Sequence, residues 1–150
     1  MSTVKITADN AVKLADQYSA AGDAIWNFEK ANWKDLSQQD KVTLGGYIGK
    51  LHDSAQHLIT YAVGKYLDDT QAPLAAIKKA TDDANATIKT LQTVKQVIEI
   101  ATSLVTLAGA IYSGNVGNVP SALQGVIDAV KPPATGAAAA TAGGGKAGNV

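Results

Sequence analysis

The one stretch carrying residue types used in catalysis is His52-Asp53-Ser54-Ala55-Gln56-His57. On a helix, two histidines five apart point about 140° away from each other, whereas two ligands of one metal need the four-residue spacing that stacks them on one face. Asp53 and His57 are four apart and are expected to pair on the surface. Ser54 cannot form a triad with residues of its own helical turn, because the three groups of a triad converge from separate segments. Asp68-Asp69 and Asp82-Asp83 lack the spacing of a calcium loop, since adjacent carboxylates on a helix diverge. Gly143-Gly144-Gly145-Lys146 lacks the earlier Gly, the Ser or Thr after Lys and the following helix of a phosphate loop. Asn85-Ala86-Thr87 has the form of a glycosylation acceptor but falls inside a helical pattern. The reading is therefore a protein that is not an enzyme, with no cofactor, no metal and no small-molecule substrate.

Composition narrows the class further. The chain has 150 residues, 46% of them hydrophobic, enough for one globular core. Its thirteen basic residues are all Lys and balance thirteen acidic ones, so no nucleic-acid partner is expected. Without Arg it lacks the planar fork that grips phosphates and carboxylates. With no Cys, disulfides and thiolate sites are excluded and the compartment stays open. Residues 1–10 hold no continuous apolar core, which argues against a secretory signal of the usual kind and leaves the cytoplasm or a leaderless export route.

The elements follow from periodicity. A first helix is expected to begin at Asp9 or Asn10 and end near Trp33, burying Ala11, Leu14, Ala15, Tyr18, Gly22, Ile25 and Phe28. Trp26 and Trp33, seven apart, share a side close to that stripe and read as core residues, or else as exposed anchors at a membrane or partner surface. Ser37-Gln38-Gln39-Asp40 resembles a capping box and starts a second helix to about Leu67, with Leu44, Ile48, Leu51, Ala55, Leu58, Ile59, Ala62 and Tyr66 as its stripe. Gly45, Gly46 and Gly49 interrupt it at roughly 1 kcal/mol each, which calls for a close helix crossing or a hinge.

After Pro73 the pattern reads as one helix of about 40 residues to Tyr112, antiparallel to the second. Its heptad stripe is Ile77, Ala80, Ala84, Leu91, Val94, Ile98, Ala101, Val105, Ala108 and Tyr112. The turn-forming run 113–120 and a short helix, 121–130, follow. The fold class is thus all-α: an elongated antiparallel bundle over residues 1–131, then a flexible Ala/Gly-rich tail over 132–150.

No charged side chain occurs between Glu99 and Asp128. A third helix of roughly 60 Å would overshoot a second of roughly 45 Å, and the overhang would fall in this uncharged stretch. Together with the fourth helix it would form a projecting hairpin whose outer faces carry Leu104, Leu107, Ile111, Val116, Val119, Leu123, Val126 and Ile127. Three covers fit such a surface: closure of the bundle core by the hairpin bending back, another copy or a helical protein partner, or a lipid membrane. Long heptad helices leading into an uncharged helix–turn–helix over 100–127 resemble in outline the helical pore-forming toxins of the cytolysin A and haemolysin BL kind. That resemblance implies an apolar head buried in the soluble form and released to insert in membranes. The expected function is a non-enzymatic, membrane-active component, the alternative being a coiled-coil module that self-assembles or binds a helical partner.

Overall fold

A computed structural model describes residues 3–90 and 93–131. Strand β1 (Thr3–Lys5) is followed by helices α1 (Ala8–Ala31) and α2 (Gln38–His57), strand β2 (Tyr66–Asp68), then α3 (Leu74–Thr90), α4 (Val94–Tyr112) and α5 (Val119–Val130). The expected tail, 132–150, lies outside the described residues.

The helix starts obey capping chemistry. Thr7, rather than Asp9 or Asn10, caps α1, its hydroxyl accepting from Asn10 N at 3.1 Å. Ser37 caps α2 as anticipated, accepting from Asp40 N at 3.0 Å. The predicted buried face of α1 is observed at every position. Trp26 and Trp33 are not core residues: both are 48% exposed. Trp26 stands just off the edge of the buried arc, and Trp33 lies past the helix end in a short 3₁₀ turn, Trp33–Asp35.

The predicted 40-residue helix is two helices. Thr93 is extended, with φ −117° and ψ 132°, and α4 starts afresh after it. A straight rod would carry half its apolar stripe beyond the reach of α1, which at 24 residues is about 36 Å long. Folding back lets both halves bury their stripes in one core, and the β-branched residues Thr90 and Thr93 make the break inexpensive. There is accordingly no overhang.

Side-chain contacts fix the directions. Gly22 faces His52 and the Trp33 ring faces Lys41, so α1 and α2 are antiparallel. Gln17 reaches Lys78 O and Asp82, while Phe28 lies near Ile88, so α1 and α3 are parallel. Tyr47 meets Thr102 and His57 meets Tyr112, so α2 and α4 are parallel. Helix α3 is therefore antiparallel to α2, with α1 between them, while α4, the second half of the expected third helix, runs parallel to α2 and not antiparallel. The packing order α1–α2–α4–α5–α3 returns to α1, which makes a closed ring of five helices.

Helix α2 does not continue to Leu67. It passes into a π turn, Leu58–Ala62, then Gly64, at φ +87°, turns the chain into β2. Such a backbone angle suits glycine, which has no Cβ to clash. Strands β1 and β2 pair antiparallel, Val4 opposite Leu67, and bring the start of the chain onto the α2–α3 connection.

Gly45, Gly46 and Gly49 are exposed, and a Cβ at any of them would meet nothing within 4 Å. The expected close crossing is absent there; the tight approach is at Gly22, whose Cβ would come 2.7 Å from His52 Nε2. Gly45→Ala and Gly46→Ala are each expected to raise stability by about 0.5–1 kcal/mol in urea unfolding, because Ala loses less backbone entropy in a helix.

Asp68, buried at the end of β2, accepts from the Thr70 hydroxyl at 2.7 Å, from Thr70 N at 2.9 Å and from Gln71 N at 3.2 Å. The Thr70 hydroxyl, then its amide, hold this carboxyl below its ordinary range, against the opposing effect of burial. A carboxyl lowered in the folded state stabilises the fold above its unfolded pKa of about 3.9, and that contribution is lost as pH falls through the folded value. Thr70→Ala should raise the Asp68 pKa in an NMR titration and shift the acid-unfolding midpoint to higher pH.

Candidate functional site

The α4–α5 unit, uncharged from Ile100 to Ile127, has two faces of different chemistry. Its inner face supplies core: Leu104, Leu107, Ile111, Val119, Leu123 and Val126 are all buried. Val116 and Ile127 are half-buried. The sequence places these eight residues on an outward apolar surface; closure of the helix ring instead buries six of them and leaves Val116 and Ile127 partly exposed. Tyr18 locks the arrangement. Its phenol is fully buried and donates to Leu104 O at 2.7 Å, and desolvation pushes its pKa far above the ordinary tyrosine value.

The outer face is a groove of about 940 Å³ between α4 and α5, with a lining that includes Thr102, Ser103, Thr106, Gly109, Ser121 and Gly125. Solvent-facing helix surfaces normally carry charge. Here Glu99 and Asp128 stand with Ile98 at one end of the groove and the amides of Asn115 and Asn118 at the other, and the lining between them is small or hydroxylated.

The α4 hydroxyls are turned back on their own helix. Thr102 Oγ1 lies 2.8 Å from Ile98 O and 2.9 Å from Tyr47 Oη. Ser103 donates to Ile100 O at 2.8 Å, Thr106 to Thr102 O at 2.9 Å and Ser113 to Ala110 O at 3.3 Å. A hydroxyl satisfied in this way needs no water, so the face tolerates an apolar cover.

The far end of the unit is shaped by Gly114, at φ +78°. Its amide donates to Ile111 O, and the Asn115 amide donates to Ala110 O, both at 3.1 Å. This is a Schellman closure, and it turns the chain toward α5. Beside it the His57 ring lies 5.0 Å from that of Tyr112 and 5.6 Å from that of Tyr61.

The remaining chemistry is dispersed. His57 is occupied by these aromatic rings, and the expected Asp53–His57 ion pair is not formed. His52 instead approaches Asp23 of α1, with Nε2 3.6 Å from Oδ1. Asp82 accepts from Gln17 at 2.7 Å, and Asp83 pairs with Lys79 at 2.8 Å, so the two adjacent acids diverge. Asn85 is buried and donates to Gln17 O, which leaves the acceptor motif inaccessible. Among the described residues no group of three or more His, Asp or Glu converges on a metal position.

The sequence pattern lays the fourth helix beside the end of the third, but it places large apolar residues on the outside of that pair, whereas the groove is lined mainly by small and hydroxylated ones. Its trace in the sequence was the absence of charge at 102, 106, 113, 121 and 125, neighbouring positions being four or seven apart along each helix.

Comparison with protein-family models, with curated proteins and with solved structures finds no match.

The two faces are separable by mutation. Leu107→Glu places a carboxylate in the core and should cost about 4 kcal/mol or more. Thr106→Glu, one residue earlier on the exposed side, should stay within about 0.5 kcal/mol of the native protein. Paired urea curves check both.

Proposed function

We propose that this protein is a non-enzymatic, membrane-active helical component, similar in working principle to the helical toxins it resembles, whose α4–α5 unit leaves the bundle to enter lipid. The observation that supports this is the uncharged run from Ile100 to Ile127, which leaves both faces of the unit without charge between Glu99 and Asp128, together with hydroxyls already bonded to their own helix. Among the described residues α4 is the one helix long and apolar enough to cross a bilayer. Its 19 residues reach about 28 Å, close to the hydrocarbon thickness of about 30 Å. Helix α5, 12 residues and about 18 Å, stops short of a full crossing and lies along the inserted helix or in the headgroup region.

A core helix also has an apolar inner face, so the outer face carries the argument. Lipid tails are as apolar as leucine, so contacts with α1–α3 exchange for lipid contacts at small cost. The connection at Thr93 already departs from helical geometry and serves as the pivot.

The alternative is a structural coiled-coil interaction module, in which the groove receives an apolar helix from a second copy or another protein while the bundle stays closed. The size of the groove and its small lining residues favour it.

One experiment separates the two. The chain has no native Cys, so Tyr47→Cys and Thr102→Cys can be joined by a bis-maleimide that ties α2 to α4. The untied variant should float with phospholipid vesicles and release their contents, and tying should abolish release. Equal release from both forms would count against departure of the unit. Failure to float at neutral and at acid pH would remove the membrane reading, and sedimentation would then test self-assembly.

A further inference from the structure

A second surface lies where α1 ends and α2 begins, and it shares no residue with the groove. Trp26 and Trp33 are each 48% exposed, and Val42, one residue beyond Lys41, is 61% exposed. Each indole carries an ammonium over its face: Lys30 Nζ is 5.5 Å from the Trp26 ring centre and Lys41 Nζ is 4.1 Å from that of Trp33. Lys34 is exposed on the same turn. None of Lys30, Lys34 and Lys41 is ion-paired among the described residues. The acids nearby are Asp35 and Asp40, while Glu29, next to Lys30, is buried. The corner thus combines half-exposed indoles with cations that keep hydrogen-bond donors free.

Its position matters as much as its composition. Trp33 opposes Lys41, Phe28 and Asn32 lie beside Ile88 and Lys89 near the end of α3, and Tyr47 meets Thr102 in the first half of α4. The corner therefore sits at the same end of the bundle as the start of α4 and the end of α5. The turn joining those two helices, held by Gly114, lies at the opposite end, beside Lys65.

We propose that the Trp26–Lys30–Trp33–Lys41 corner is the docking surface for a phospholipid bilayer, with the indoles at headgroup depth and the lysine ammoniums on lipid phosphates. This rests on the membrane reading of α4–α5 and names where contact begins. Amphipathic rings with a polar edge favour the water–lipid boundary, and lysines place their charge at phosphates while their stems lie on apolar surface. Docking at this end sets the connection of the α4–α5 unit to the bundle, at Thr93, against the bilayer. An outward swing about Thr93 then carries the Gly114 turn into the membrane, so the unit need not cross the width of the bundle. A protein partner would use the unpaired lysines equally well, but half-exposed indoles beside free ammoniums at the end of the bundle that holds the Thr93 connection fit a headgroup layer.

Trp26 and Trp33 are the sole tryptophans, so intrinsic fluorescence reads this corner directly. The full chain is mixed with phosphatidylcholine–phosphatidylserine vesicles whose acyl chains are brominated near the headgroup, and flotation is measured in parallel. The expected result is a blue shift with quenching, reproduced by Trp26→Phe and by Trp33→Phe, each of which keeps one indole. Lys30→Gln and Lys41→Gln should each weaken partitioning onto these anionic vesicles about fivefold. Flotation without blue shift or quenching would overturn the corner as the docking surface while leaving the membrane reading intact. Absence of flotation would overturn both. A blue shift that appears only on self-association, without lipid, would assign the corner to a protein interface and overturn the proposal.

Discussion

The fold depends on one return: α4 and α5 come back onto α1, and the Tyr18 hydroxyl fixes where they land. A buried phenol without an acceptor costs about 1–3 kcal/mol. Tyr18 finds its acceptor in Leu104 O, at 2.7 Å, on a carbonyl that also belongs to the helical ladder of α4. A carbonyl has two lone pairs, so the second bond does not break the ladder. Sliding α4 by one residue would leave the phenol facing carbon. Apolar packing accepts many registers, and this hydrogen bond selects one of them.

Much of the secondary structure was legible, because α1 repeats its apolar residues at three and four without interruption and Ser37 carries its own capping signal. The tertiary arrangement was not. Ala84, Leu91 and Ile98 keep heptad phase in the sequence across the departure at Thr93, so periodicity continues where one straight helix does not. Phase reports which face is apolar, and it is silent on whether the chain has turned back. The projecting hairpin was inferred from that unbroken length and disappears with it. The strand pair was invisible for another reason: three residues on each side are too few for alternation to register.

The candidate surfaces show the same division. Lack of charge from 100 to 127 was plain in the sequence and survives in the groove, yet the residues first assigned to the outer face are those that the ring buries. Trp26 and Trp33 show the reverse. Their spacing put them beside the stripe of α1, and a displacement of part of a helical turn separates a buried ring from a half-exposed one. The three glycines of α2 were read as a crossing because a crossing is the usual reason for that composition. The crossing sits at Gly22, where a single glycine faces His52.

What attaches α4–α5 to the rest of the bundle also bears on what it can do. Among the described residues none of the ion pairs joins this unit to another element, and its side-chain hydrogen bonds outward are those of Tyr18 to Leu104 O and of Thr102 with Tyr47. Everything else is apolar contact. Contact of that kind is strong in water and nearly indifferent between protein and lipid, because both offer the same dispersion and exclude the same water. A unit held by salt bridges would have to leave charges behind or carry them into hydrocarbon. This unit would leave behind one phenol, whose site on α1 would open to water, and one exposed hydroxyl pair. The polar cost of departure is therefore small in water, and in lipid Lys95, Glu99 and Asp128, near the start of α4 and the end of α5, would have to stay at headgroup depth.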